Sequence, residues 1–275
     1  MYKYKLKIIQ LVKDKSKMDL SVYDDAFFDG ILKKRIENTQ TYSHEKYITL
    51  LKNNPDEIPE LINSFFIPYS YFFRSPLIFT YFNEILFPDI INNKFKNEEK
   101  ELRILSAGTA AGEEAYSWAM LTDYFMNKIN KYIPHTIVGT DSCSSQINKA
   151  KEAIYPENKL YNVPQKFFYE YFYQHGTENK IIPRIREMVT FYTFDLLSPE
   201  TTKTPWNTNF KFDIINCSNI LIYYNKTGRE AIIKKLLTYL GKGGYLITSR
   251  SETEIFIKYP LKQIINSVGI FQKTN

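Results

Sequence analysis

Residues 101–120 read E-L-R-I-L-S-A-G-T-A-A-G-E-E-A-Y-S-W-A-M. Leu102, Ile104 and Leu105 make a short apolar run of the kind a buried strand shows. Ser106 to Gly112 are small, and a helix is expected from about Ala111. Small residues let backbone come close to a bound group, and the amides that open a helix have no intrahelical partners. A strand–turn–helix of this kind offers donors to an anionic or polar group and is a usual seat for a nucleotide-like cofactor. It is not the dinucleotide fingerprint, because Ala107 and Thr109 stand at two of its three glycine positions.

Downstream, strands alternate with helices, the pattern of a mostly parallel sheet. H-T-I-V-G-T-D (135–141) is a second strand ending at Asp141, followed by a helix with Ile147, Ala150 and Ile154 on one face. An acidic residue at that strand end can accept hydrogen bonds from ribose hydroxyls, and equally can cap the next helix. Residues 157–188 carry two prolines, a Phe/Tyr run and Gly176, and read as an insertion. V-T-F-Y-T-F-D (189–195) is a third strand, ending at Asp195 and Leu196; F-D-I-I-N-C-S-N-I (212–220) is a fourth, ending at Asn219. A helix with Ile232, Ile233, Leu236, Leu237 and Leu240 inward stops at G-K-G-G, and Y-L-I-T-S (245–249) is a fifth strand. The tail reads as a helix over Leu261 to Val268 and then a possible antiparallel edge in G-I-F-Q-K. Ligands of open parallel sheets bind beyond the carboxyl ends of the strands. Gly108, Asp141, Asp195 and Asn219 all fall there.

Upstream, residues 1–80 read as helical. Tyr23, Phe27, Ile31 and Leu32 give one apolar face, with Lys33, Lys34 and Arg35 projecting elsewhere; Asn54 and Pro55 mark a helix start, and Ile58, Leu61, Ile62 and Phe65 give another stripe. The basic face is either solvated or docks to an acidic surface. In F-F-I-P-Y-S-Y-F-F-R-S-P (65–76), Arg74 sits among apolar residues, as a snorkelling surface side chain or an anion clamp.

With 44% hydrophobic and 24% charged residues over 275 positions, the chain is long and apolar enough for one large domain or two small ones, and disorder is not the default. Cys143 and Cys217 show no disulfide framework, so a reduced, cytoplasmic setting is expected. His44, His135 and His175 are scattered and predict no metal site. No apolar run approaches bilayer length, which predicts a protein that does not insert into membranes. The net charge of +6 suits an acidic partner or a solubilising surface.

Taken together, these residues resemble the CheR-type chemotaxis receptor methyltransferases, which use S-adenosylmethionine. R-I-L-S-A-G-T-A-A-G-E-E-A-Y-S-W-A-M is similar to the family's A-G-x-S-T-G-E-E-P-Y-S-x-A-M turn. F-D-I-I-N-C-S-N-I-L-I-Y-Y is similar to F-D-x-I-x-C-R-N-V-x-I-Y-F, and G-G-Y-L-I-T-S-R-S-E to G-G-x-L-x-x-G-H-S-E. Tyr71, Phe72, Phe73 and Arg74 fit the end of N-E-T-x-F-F-R. The resemblance implies an α/β fold: a Rossmann-like methyltransferase domain over 81–275, with a mostly parallel sheet and a small β-subdomain at 157–188, behind an all-α domain over 1–80. It implies methyl esterification of glutamates on the cytoplasmic domain of chemoreceptors, yielding S-adenosylhomocysteine, by a monomer with no nucleic-acid partner. By motif position, Ser70, Gly108, Glu114, Asp141, Asp195, Leu196, Asn219 and Ile220 would meet the cofactor. Arg74 and Tyr223 would face the reacting centre, and Lys33, Lys34 and Arg35 would touch the receptor.

The chain departs from the family at several places. Pro68 and Tyr69 replace the Asn and Glu of N-E-T, while Ser70 keeps a hydroxyl. Ser218 stands for an arginine. Family members that bind a receptor's pentapeptide tether carry Gly-x-Gly where Gly176 is followed here by Thr177 and Glu178, so tether-independent action is expected. The alternatives are a docking or regulatory module that keeps the cofactor pocket without transferase activity, and a methyltransferase for a different carboxylate.

Overall fold

The computed structural model describes residues 2–16, 18–96, 101–199, 204–206, 210–265 and 268–274. The chain divides into two compact units, Met1–Ile67 with Leu221–Ala231, and Pro68–Ile220 with Ile232–Asn275. The helical stretch expected over 1–80 thus runs past this division. Its last part packs in the second unit because Phe72, Phe73, Ile78 and Phe79 are buried in that unit's core.

The first unit is built from α1 (Tyr2–Ser16), α2 (Asp25–Asn38), α3 (His44–Asn53) and α4 (Glu57–Asn63). Two of their starts are set by side-chain caps: Asp24 accepts from the amides of Ala26 and Phe27, and Ser43 from that of Lys46. Ile8, Val12, Leu20, Phe28, Leu32, Tyr47, Leu51 and Leu61 form its core. The excursion Leu221–Ala231 belongs here through backbone pairing. Tyr23 and Tyr224 form an antiparallel bridge, Asp24 donates to the Tyr223 carbonyl at 2.9 Å, and Asn225 donates to that of Val22 at 2.9 Å.

The second unit contains, in chain order, α5 (Pro76–Tyr81), α6 (Phe87–Lys96), β1 (Leu102–Ala107), α7 (Glu113–Ile129), β2 (His135–Asp141), α8 (Ser144–Glu152), β3 (Ile154–Tyr155), α9 (Gln165–Tyr171), β4 (Phe172–His175), β5 (Glu178–Ile181), α10 (Pro183–Arg186), β6 (Val189–Thr193), β7 (Phe212–Asn216), α11 (Lys226–Tyr239, whose start to Ala231 falls in the first unit), β8 (Leu240–Ile247), α12 (Thr253–Phe256), β9 (Leu261–Ile265) and β10 (Ile270–Lys273). Seven strands form one sheet in the order β6-β2-β1-β7-β8-β10-β9. The first five are mutually parallel, and β10 runs antiparallel to β8 and β9. From β1 the chain moves outward to β2 and β6, then returns to lay β7 on the other side of β1. That reversal opens the binding crevice of a doubly wound sheet at the carboxyl ends of β1 and β7. The insertion adds a small antiparallel sheet, β3-β5-β4, whose β4–β5 turn holds Gly176 at φ +62°.

Several elements differ from the sequence expectation. Helix α7 starts at Glu113 behind Gly112, and Ile154 leaves the α8 face to enter β3. Strand β7 stops at Asn216, so Asn219 lies in the loop beyond it. Leu261–Ile265 is an edge strand paired to β10 where a helix was expected; the residues that end that expected helix include 266 and 267, outside the described residues. The helical spacing of Leu261, Ile264 and Ile265 yields to the unpaired edge that β10 offers.

Candidate active site

The turn after β1 is tight and needs its small residues. Gly108 (φ +70°), Ala110 (φ +50°) and Gly112 (φ +91°) are all left-handed. A Cβ on Gly108 would stand 2.1 Å from Cδ1 of Ile220, so Ile220 lies directly over the turn. A Cβ on Gly112 would stand 2.9 Å from that of Ala150. The Thr109 amide donates to the Thr140 carbonyl at 2.8 Å, tying the turn to the end of β2.

Asp141 braces the turns around it and does not cap the next helix, since α8 has Cys143 at its N-cap and no side-chain cap. Its Oδ1 accepts from the Cys143 amide and its Oδ2 from the Ala110 amide, both at 2.9 Å. Burial pushes its pKa up, opposed by these two amides. A carboxylate offers about four acceptor sites, so lone pairs remain for a ligand hydroxyl.

Glu114, in the first turn of α7, is half-buried, and its Oε1 accepts from Ser106 Oγ at 2.8 Å. It has no ion-pair partner among the described residues. Burial lifts its pKa to about 7, against the Ser106 hydrogen bond and the positive charge of Arg74. A carboxyl held this way favours a cationic ligand group that would restore its ionised form.

The β7 loop is held by a residue that the sequence reading did not single out. Asn219 is left-handed (φ +61°) and donates its amide to Oε2 of Glu252 at 2.7 Å. Glu252 is fully buried, and the same oxygen accepts from Thr248 Oγ1 (2.9 Å), Ser249 Oγ (2.6 Å) and the Ser249 amide (3.2 Å). The signal was present in S-R-S-E, a capping-box spacing that the structure realises between Ser249 and Glu252. Ser218, at the family's arginine position, donates to Asn216 Oδ1 at 2.7 Å. Asp195 is exposed and accepts from the Leu197 amide at 2.8 Å, while Leu196 is buried.

The stretch that carries Ser70 and Arg74 is anchored by Phe72 and Phe73, both buried, and by the Phe73 amide, which donates to Ser117 Oγ at 2.9 Å. The Ser70 carbonyl accepts from Lys159 Nζ at 2.6 Å. Arg74 donates through Nη1 to the Tyr69 carbonyl at 3.2 Å, and its guanidinium lies over the Tyr71 and Tyr69 rings at 5.4 and 5.6 Å. No carboxylate pairs with it among the described residues.

The remaining candidates lie in the first unit. Tyr223 packs at a tilt against Phe27, with ring centroids 4.8 Å apart. Lys33 and Lys34 are exposed on α2. Arg35 is not a surface cation: its Nε and Nη2 donate to Glu57 at 3.0 and 2.7 Å, with side chains only 15% and 7% exposed. Tyr47 donates to the same carboxylate at 2.7 Å.

Residues 69–264 match the family model described as CheR methyltransferase, SAM binding domain, and residues 6–66 match CheR methyltransferase, all-alpha domain. A chemotaxis protein methyltransferase of Borreliella burgdorferi is 30% identical over 252 residues, covering 90% of this chain and 87% of its own. Chemotaxis protein methyltransferase 2 of Pseudomonas aeruginosa is 24% identical over 86% of this chain and 80% of its own. A Listeria monocytogenes chemotaxis protein methyltransferase is 26% identical over 88% and 87%. The residues fit a cofactor with cationic and hydroxyl groups, since the Glu114 and Asp141 carboxylates both keep acceptor capacity beyond the hydrogen bonds they make. The chain belongs to the CheR methyltransferase family, with the all-α domain and the S-adenosylmethionine-binding domain of that family in order.

Proposed function

We propose that the protein esterifies glutamate side chains of chemoreceptors with the methyl group of S-adenosylmethionine, without a receptor tether. Arg74 carries this reading: a guanidinium with no carboxylate hydrogen-bonded to it among the described residues, on the stretch adjoining Ser70, in the same unit as Glu114 and Asp141. The names of the Borreliella and Pseudomonas relatives support chemotaxis as the setting.

When bound, S-adenosylmethionine supplies an electrophilic methyl on a sulfonium. Glu114 and Asp141 would hold its polar groups, with Ser70, Gly108, Asp195, Leu196, Asn219 and Ile220 around it. A glutamate acceptor is already ionised at neutral pH, so no general base is required. Alignment is then the main resource, and well-fixed geometry can supply on the order of 7–11 kcal/mol. Because the acceptor's charge is lost as the bond forms, Arg74 binds the starting carboxylate at least as well as the transition state; its contribution is orientation. By motif position Tyr223 remains a candidate catalytic residue, and Lys33 and Lys34 would meet the receptor's acidic surface. In the β4–β5 turn, Gly176 is followed by Thr177 and Glu178, which supports independence from a tether.

The decisive experiment is radiolabelled methyl transfer to receptor-rich membranes, with label released as volatile methanol under base. Base-stable label would sink the glutamyl ester. Arg74→Lys keeps the charge and loses the bidentate edge, so turnover should fall with S-adenosylhomocysteine affinity preserved.

A further inference from the structure

Arg74 departs from an ordinary surface arginine in what surrounds it. Tyr71 is half-buried and Tyr69 exposed, and the guanidinium lies over both rings at 5.4 and 5.6 Å. The two rings meet each other edge-on with centroids 6.0 Å apart. The inserted stretch then braces this pair from outside. Tyr161 packs on Tyr71 at 5.0 Å; Lys159 lies over the Tyr69 ring at 5.7 Å, donates to the Ser70 carbonyl at 2.6 Å and pairs with the buried Glu113 at 3.3 Å. We infer that Tyr69 and Tyr71, braced by Tyr161 and Lys159, are positioning residues that hold Arg74 by its face and leave its N–H edge free for the acceptor.

Each kind of partner does something different to a guanidinium. A neighbouring carboxylate would occupy the fork of N–H donors and neutralise the charge, and an incoming glutamate would have to displace it. An aromatic ring attracts the cation through its face and leaves both the charge and the in-plane donors available. Among the described residues, one of its five N–H donors is engaged, to the Tyr69 carbonyl. A long side chain left unheld would sample many rotamers, and each would have to be abandoned before transfer. The family's Glu position is occupied here by Tyr69, and the structure shows that ring over the arginine. The departure thus changes how the arginine is held: Glu114 feels its charge, but no carboxylate among the described residues is hydrogen-bonded to its N–H edge. Lys159 and Tyr161 give the inserted stretch a part in placing Arg74.

This inference rests on Arg74 being the group that orients the acceptor, and the experiment separates the two. The Arg74 Nε–H resonance, assigned by its loss in Arg74→Lys, should be shifted upfield by the rings in the intact protein. It should stay there in Tyr69→Phe and move to an ordinary arginine position in Tyr69→Leu/Tyr71→Leu. Methyl transfer to receptor-rich membranes should keep to within about twofold in Tyr69→Phe, and kcat/KM for the acceptor should fall about tenfold in the double leucine variant, as two exposed cation–π contacts suggest. Tyr161→Leu should show a smaller fall of the same kind. S-adenosylhomocysteine affinity should stay constant throughout, which marks a fold left intact. An unmoved Nε–H resonance, or full turnover in the double variant while Arg74→Lys is impaired, overturns the positioning role. Full turnover in Arg74→Lys overturns the acceptor-orienting reading itself, whatever the resonance does.

Discussion

At Glu114 a single carboxyl couples pH to folding and, on the proposed function, to ligand binding as well. Its ordinary pKa is 4.5 and burial raises it to about 7, with Arg74 pulling it down and Glu252 and Glu113 pushing it up. Between those values the unfolded chain has released the proton and the folded one keeps it, so this residue makes stability fall as pH rises through that window. Its contribution is fully present below the lower value. Glu114→Gln should flatten the dependence, leaving the variant relatively more stable at pH 8, as urea unfolding at several pH values would show. Because a cationic ligand group favours the ionised form, S-adenosylhomocysteine affinity should rise from pH 6 to pH 8 in the unaltered protein and stay level in Glu114→Gln. A parallel rise in both proteins, seen by calorimetry, would remove Glu114 from the site. At Gly108 the constraint is steric: Gly108→Ala incurs about 1–2 kcal/mol of left-handed strain and drives Ile220 off the turn. Cofactor affinity should drop with it.

Among the elements, α2 shows how neighbouring charges in sequence can have different functions. Lys33 and Lys34 face solvent, whereas Arg35 reaches back to Glu57 on α4. Arg35→Met would leave a buried carboxylate unpaired and should cost about 3–5 kcal/mol in urea unfolding. Lys33→Ser with Lys34→Ser should leave stability within about 0.5 kcal/mol and raise the KM for receptor-rich membranes. An unchanged KM would remove this face from receptor docking. The K-K-R run in the sequence gives no hint of this split, since the partner lies 22 residues away. Legibility followed the range of the interactions. Strands β1, β2, β6, β7 and β8 were readable because their apolar runs and strand-end residues are local signals. Edge strand β9 was not, because its hydrogen bonds come from β10 and its own spacing is helical. Asp141 was readable as either a helix cap or a ligand group; the structure leaves α8 without a side-chain cap and gives Asp141 the Cys143 and Ala110 amides, with lone pairs to spare. Glu252 was missed because its task, holding Asn219, is visible only once two loops meet.

On the scale of the whole molecule, the division of the chain is discontinuous. Leu221–Ala231 leaves the second unit, pairs with residues 21–24, and returns within α11. Cutting the protein at the 67/68 division therefore severs a unit as well as a linker. A chain of residues 1–67 alone lacks the excursion that Tyr23, Val22 and Asp24 pair with, and it should unfold without a cooperative transition. Supplying residues 221–231 on a linker should restore a sigmoidal urea curve. A sharp transition in the short chain would show that the excursion is dispensable. The boundary near 80 suggested by helical periodicity could not reveal this, because periodicity reports which face of a helix is apolar and is silent on which core receives it. The same excursion also sets a timetable. A ribosome adds about 5–20 residues per second, so the last segment of the first unit emerges roughly 10–30 s after residue 67. Through that interval the four N-terminal helices lack the excursion that completes their unit, while most of the second unit is being synthesised.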